Sequence, residues 1–453
     1  MIKRIKPFLP ALIIFCGALL VRILYNVTVA RNYTPMNDSL FYQTIAFHII
    51  DEHCFCLEPY VTTVDRAPLW PWIIAGLSLI VGRADIYDRL FFCCLSAGNC
   101  VLLYLFARDL FSRRMGIVAG FMAAVYPPLY IYDGWLYTES LFTFLLLAVC
   151  YCVYRIQRDE GRRKRLWILC GVLLALLSLT RPNGVAIIAL VALWAIFLKR
   201  RKVLRKGTLK NVVLTVLIAC ILIAPWTMRN YIVSHSFVPV ATGDGTVLLG
   251  SYNAQVLEKS FYPGVWTNPL TTDPQVLAPF SLTDCNAVCE VQRENVEKDA
   301  ALQWIGAHLN TMPEFLYYHL LNFWTPLTHE ADLPIYRFIE QPSSQFVLLM
   351  SNVLPIIIYL LAIPGLIVTF RKHWRDLLFA YGVILITVGE IIVYYGNSRF
   401  RMPIEPLLVL LATGGIWWLT QDAPGTLRQR RRARKALTTG EKKQDTPAQE
   451  GVS

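Results

Sequence analysis

The strongest constraint on this chain is a succession of apolar runs, most of them near the length that crosses a bilayer, joined mainly by short polar loops. They lie at roughly 8–27, 89–107, 115–132, 140–154, 166–180, 184–198, 211–226, 346–369, 377–395 and 403–419. A soluble chain of 453 residues would carry more than the 16% charged residues found here, and the mean hydropathy of +0.46 points the same way. The expected fold class is therefore an all-α polytopic membrane protein with about ten transmembrane helices.

One further apolar stretch, 68–81, decides the topology. It has about fourteen residues, where a spanning helix needs about twenty, so it is expected to lie along the interface in the first outside loop. With 68–81 kept out of the count, 30 of the 43 Lys and Arg residues fall on one side of the membrane and 13 on the other. Cytoplasmic loops carry the Lys/Arg excess, which puts both termini inside. The same rule accounts for the net charge of +12 without nucleic acid as a partner. Lys3, Arg4 and Lys6 precede the first run as in a signal peptide, but the run is long and lacks a clear small-residue cleavage site, so an uncleaved first span is expected.

The expected organisation is a membrane module at 1–229 with catalytic outside loops, a small α-rich outside subdomain at 230–345 and further membrane helices at 346–420. A basic, disordered cytoplasmic tail at 421–453 completes it. Helical patterning in the subdomain falls at 287–310 and 313–324. Eight of the twelve cysteines lie in apolar runs. The pairs Cys54/Cys56 and Cys285/Cys289 lie in outside loops, where a disulfide and free thiols are both open readings.

Charged residues gather at the outer ends of the runs. Asp38 follows the first span in Pro35-Met36-Asn37-Asp38-Ser39, and Glu139 opens the fourth span after Tyr126-Pro127-Pro128 and Thr138. Asp133, between them, reads as loop or turn chemistry. Two carboxylates from two outside loops suit general-base work on a hydroxyl and steering of a polar substrate. Arg66, Arg89, Arg181, Arg229, Arg399 and Arg401 stand on the side that should be poor in cations. Singly, each would be an interface anchor; together, a guanidinium cluster beside the membrane suits a lipid-borne phosphate. Glu390, inside the ninth span, must face protein or water. No Walker motif, GxGxxG or HExxH occurs, and the seven histidines show no ligand spacing.

Ordered blocks of residues carry a resemblance. They are Asn37-Asp38 with Tyr42, Arg66-Ala67-Pro68-Leu69-Trp70-Pro71, Arg89, Tyr126-Pro127 with Thr138-Glu139-Ser140, and Thr180-Arg181-Pro182. Pro225-Trp226-Thr227-Met228-Arg229-Asn230-Tyr231 and Arg399-Phe400-Arg401-Met402-Pro403 complete the series. Over most of 8–415 the chain resembles the membrane glycosyltransferases of the C-type fold, in particular the family 39-like branch of protein O-mannosyltransferases and lipid A aminoarabinose transferases. The resemblance implies inverting transfer of a sugar from a polyprenyl-phosphate donor to an acceptor hydroxyl of a protein, lipid or glycan. Asp38 then looks like the catalytic base and Glu139 like the acid of the second outside loop, with Arg66, Arg89, Arg399 and Arg401 on the donor phosphate. Ser39 stands where many relatives have a second acid, and Ala67-Pro68 where they have Pro-Pro. No metal ligand is carried over and no cofactor is assigned, although the family leaves room for a divalent metal.

The expected location is a bacterial inner (plasma) membrane, multi-pass, with the active site extracytoplasmic; a glycan on the Asn37-Asp38-Ser39 sequon would crowd Asp38. A lipid or sugar flippase and a surface-polysaccharide polymerase or ligase are the competing classes. A flippase should place charges deep in several helices and show internal symmetry.

Overall fold

The computed structural model describes residues 8–31, 33–205, 207–258, 263–280, 285–326 and 342–421. The N-terminal Lys3, Arg4 and Lys6, the 327–341 part of the expected subdomain and the basic tail beyond Gln421 lie outside the described residues. In chain order the helices are α1 Leu9–Thr28, α2 Asp38–Asp51, α3 Leu69–Val81, α4 Asp85–Leu110, α5 Arg113–Val125, α6 Glu139–Arg158, α7 Lys164–Thr180, α8 Gly184–Arg200 and α9 Thr208–Ser234. Then come α10 Asp244–Ser251, α11 Ala254–Glu258, α12 Pro269–Thr272, α13 Pro274–Leu277, α14 Ala287–Ala307, α15 Met312–Trp324, α16 Pro342–Val393, α17 Ser398–Arg401 and α18 Glu405–Gln421. Among the described residues the only sheet is a two-stranded antiparallel ribbon, β1 Cys56–Glu58 with β2 Val61–Thr62.

By length and composition, α1, α4, α6, α9, α16 and the 398–420 segment can each cross a bilayer. The shorter α5, α7 and α8 pack among them through a shared apolar core. At 52 residues α16 would extend about 78 Å if straight, but His373 leaves helical geometry (φ −132°) and the chain turns back. The Tyr381 hydroxyl donates to Thr369 Oγ1 at 2.8 Å, a contact impossible along a continuous helix. The runs at 346–369 and 377–395 are thus the two arms of a hairpin. Its first arm lies against α18 so closely that a Cβ on Gly365 would meet the Leu411 carbonyl oxygen at 1.8 Å, the small-residue contact that lets membrane helices approach.

The expected run at 115–132 is corrected. Helix α5 ends at Val125, because Pro127 and Pro128 supply no amide hydrogens to continue it, and 3₁₀ turns occupy 127–129 and 131–134. Helix α3 has thirteen residues, about 20 Å by helical rise and well short of a bilayer core. Buried Trp70 pins it to the bundle: its indole stacks on Phe92 at 4.2 Å and donates to the Leu136 carbonyl at 2.9 Å. Its other end exposes Leu79 and Ile80, as a helix at an apolar boundary would.

Helix α9 continues to Ser234, so the expected boundary at 229 falls inside it. Helices α14 and α15 occupy the segments whose patterning predicted them. Helix α14 grips the loop between α2 and α3: Glu290 accepts from the Thr63 hydroxyl and the Val64 amide, both at 2.6 Å. Disulfides join Cys285 with Cys289 and Cys54 with Cys56.

Candidate functional site

Five segments converge at one end of the bundle. Asp38 is the first residue of α2, where the helix dipole favours a carboxylate. The residue before it, Asn37, holds φ +53° and ψ −130°, a conformation costly for a side-chain-bearing residue and one that accumulates at functional sites. Ser39 is fully buried, its hydroxyl 2.8 Å from the Tyr33 hydroxyl and 3.0 Å from the Met36 amide. The serine that replaces a second acid therefore holds the turn.

Arg399 joins the two predicted carboxylates. Its Nη2 donates to Asp38 Oδ2 at 3.0 Å, its Nε donates to Glu139 Oε1, and its guanidinium lies 4.0 Å from the Tyr137 ring centre. Asn397 sets that reach by accepting from the Arg399 amide at 2.7 Å. Arg66 approaches the other Asp38 oxygen at 3.6 Å and bonds Asp65 Oδ2 at 2.6 Å. Arg181 donates to Glu139 Oε1 at 3.0 Å. Three arginines and two carboxylates from α2, the loop between α2 and α3, the start of α6, the end of α7 and α17 make one cluster.

The members differ in access. Glu139 is fully buried with no hydrogen-bond partner on Oε2, whereas the Asp38 side chain is 32% exposed and the Arg66 and Arg399 side chains about 20%. Burial acts to raise the Asp38 pKa, but Arg399 and Arg66 outweigh it and hold the carboxyl below its usual range. Burial raises Asp65 despite Arg66. Tyr42 is pushed up to about 12 by burial and by Asp38.

Two predicted residues stand apart from the cluster. Arg89 donates to the carbonyls of Ala30 at 2.7 Å and Tyr33, tying α4 to the segment after α1. Buried Arg401 pairs with Glu405 and donates to the carbonyls of Phe323 and Thr325. Arg229, another boundary arginine, donates to the carbonyls of Thr63 and Phe55 and so fixes the loop between α2 and α3. Glu390 is paired, accepting from Asn183 at 3.2 Å.

The reading of Asp133 as turn chemistry needs amending. Its carboxylate is fully buried, accepts from Ser140 at 2.7 Å and lies 3.8 Å from Arg22 Nε. Arg22 was not singled out in the sequence. It sits inside the first apolar run and donates to Ser96 and to the Ala18 and Ala124 carbonyls. A lone arginine within a span was the available signal, since such a charge needs partners in protein.

The residues do not suit a divalent metal. Among the described residues no group of three His, Cys, Asp or Glu side chains could hold one, and guanidinium groups occupy the carboxylates of Asp38, Glu139 and Asp65.

Residues 65–228 match the dolichyl-phosphate-mannose-protein mannosyltransferase family, a stretch holding Arg66, Glu139 and Arg181 but not Asp38 or Arg399. No curated protein matches the chain as a whole or in part. The archaeal oligosaccharyltransferase AglB from Archaeoglobus fulgidus, in complex with an inhibitory peptide and a dolichol-phosphate, superposes with a TM-score of 0.53 at 11% identity, covering 100% of this chain and 53% of AglB. The apo form of the Archaeoglobus fulgidus oligosaccharyltransferase gives 0.54 at 12% identity, covering 98% and 53%. ArnT from Cupriavidus metallidurans, bound to undecaprenyl phosphate, gives 0.44 at 13% identity, covering 89% and 77%. The chain thus spans about half the length of the oligosaccharyltransferase it resembles.

Proposed function

Starting from a chain with the C-type membrane glycosyltransferase fold, we propose that this protein moves a sugar from a polyprenyl-phosphate donor to an acceptor hydroxyl on the non-cytoplasmic face of a membrane. The observation that carries the reading is Arg399, which ties Asp38 to Glu139 while Arg66 and Arg181 complete the cluster. Partly exposed guanidinium groups at a bundle end suit a phosphate whose lipid tail stays in the membrane. The match to the mannosyltransferase family and the dolichol-phosphate named with AglB support the donor class.

In the proposed reaction the acceptor oxygen attacks the anomeric carbon and its proton passes to Asp38. The bond from that carbon to the phosphate oxygen breaks, and polyprenyl phosphate leaves with the electron pair, inverting the centre. Arg399 and Arg66 stabilise the growing phosphate charge, which preorganised cations do without reorganisation at the moment of reaction. Buried Glu139 acts as a positioning residue that holds Arg399 and Arg181 in place. Arg89 and Arg401 position the segment after α1 and the loop around α17, one step removed from the donor.

The arginines that bind phosphate are the ones that depress Asp38. Donor binding therefore draws them from the carboxylate and raises its basicity when the acceptor needs a base. The expected acceptor is a protein, lipid or glycan hydroxyl, and the expected location is a bacterial plasma membrane. The test incubates purified enzyme with labelled polyprenyl-phosphate hexoses and pentoses, parallel nucleotide sugars and a membrane extract. Label should pass only from a polyprenyl-phosphate donor, with inverted anomeric configuration in the product. Transfer from nucleotide sugars alone, or from no donor, would overturn the reading.

A further inference from the structure

A cavity lies at the far end of the bundle from the Asp38 cluster. Glu139 and Arg158 are the first and last residues of α6, so their backbones stand about 29 Å apart along a helix of 1.5 Å rise per residue. Around Arg158 opens a cavity of about 450 Å³ lined by Gln157, Val203 and residues 371–376. That volume is in the usual range for small-ligand sites. The fold makes this cavity at the α16 turn: the departure from helical geometry at His373 reverses the chain and sets Arg371, Lys372 and Arg375 on one wall. Arg158 comes from the end of α6 and Val203 from just beyond α8.

Among the described residues the cations on these walls, Arg158, Arg371, Lys372 and Arg375, have no carboxylate partner within ion-pair distance, although Arg155 and Arg163 nearby do. The lining's one acid, Asp376, is engaged by His373 Nδ1 at 3.3 Å and by Gln157 Nε2 at 3.3 Å. Three of the cations instead lie over rings, Arg158 on Tyr154, Lys372 on Trp417 and Arg375 on Trp374, which steadies them without removing charge. Four cations against one occupied carboxylate in a preformed concavity call for an anion. Arginine forks suit phosphate oxygens, and the basic loops put this end on the cytoplasmic side, where anionic headgroups lie.

We propose that this cavity is a phosphate-binding site on the face opposite the Asp38 cluster, taking the phosphate of an anionic membrane lipid headgroup or a free phosphate. It is independent of the transferase reading. The test measures thermal stabilisation of the purified full-length protein in a zwitterionic detergent by inorganic phosphate, dioctanoyl phosphatidylglycerol or dioctanoyl phosphatidylcholine. Saturable stabilisation by phosphatidylglycerol alone identifies a lipid headgroup, and equal stabilisation by inorganic phosphate identifies a free anion. Either supports the site, provided that R158Q/R371Q/R375Q weakens binding roughly 100-fold, about fivefold for each arginine removed. These arginines are exposed, so the variant is expected to fold; native mass spectrometry should then count one fewer retained phosphatidylglycerol. Absence of stabilisation by both anions, unchanged binding in the triple variant, or loss of binding in R399Q with an intact R158Q/R371Q/R375Q response would overturn it.

Discussion

Replacing Arg399 with Gln separates what holds the site together from what the site does. The change removes the guanidinium that bonds Asp38 at 3.0 Å, bonds Glu139 and lies over Tyr137. Glu139 is fully buried and keeps only Arg181. Breaking a buried pair costs about 3–5 kcal/mol when the remaining charge is uncompensated. Arg181 supplies part of that compensation, and the partly exposed Asp38 adds about 1 kcal/mol or less, so a loss of about 3 kcal/mol is expected at neutral pH. Because Asp38 has a depressed native pKa, its share of the stability is present above its unfolded pKa. That share fades as pH falls through the folded value, so the gap between wild type and R399Q narrows in acid. Transfer should fall about 10²–10³-fold if Arg399 stabilises the departing phosphate. R399K, which keeps charge without the planar fork, should recover stability better than rate. The assay pairs thermal unfolding over a pH series with initial rates at saturating donor. A folded R399Q enzyme with wild-type kcat and KM would refute the reasoning.

Other expectations follow from neighbouring contacts. Arg22→Met leaves buried Asp133 without its cation and should destabilise by about 3–5 kcal/mol, whereas R22M/D133N should cost less; unfolding in detergent distinguishes them. Burial pushes Glu290 up to about 7. Its raised pKa makes its contribution full below the unfolded value near 4.5 and lost as pH rises through 7, so E290Q should flatten the fall in stability by up to about 3 kcal/mol over that window. E139Q should lower kcat and displace the acid limb of the pH profile, because Glu139 holds Arg399 and Arg399 depresses the Asp38 carboxyl. Trp70→Phe removes the bond to Leu136 and should cost about 1–2 kcal/mol, read as a lower unfolding temperature.

The membrane class was legible because it rests on run length, and the brevity of α3 was legible for the same reason. The end of α5 was legible at Pro127-Pro128, since two successive prolines cannot extend a helix even though the apolar run continues to 132. The juxtaposition of Asp38 and Glu139 was legible only as membership of one boundary. What joins them is Arg399, 361 residues after Asp38, and no periodicity links the two. The Arg401–Glu405 pair was legible, since Glu405 lies one helical turn on. Arg89 was indistinguishable from a phosphate ligand, since its carbonyl partners at Ala30 and Tyr33 leave no mark on side-chain identity. The buried Arg22 and Asp133 pair shows the converse, a charge inside an apolar run whose partner sits on another element.

The most direct measurement is single-turnover sugar transfer from a polyprenyl-phosphate donor by Asp38→Asn beside wild type, with donor binding measured on the same preparations. Asn keeps the shape and cannot take the proton, so the chemical step should slow about 10²–10⁴-fold. Donor affinity should hold or rise, because Arg66 and Arg399 no longer answer to the carboxylate. Near-normal transfer by D38N, with the donor bound as tightly as in wild type, would contradict the assignment of Asp38 as the base.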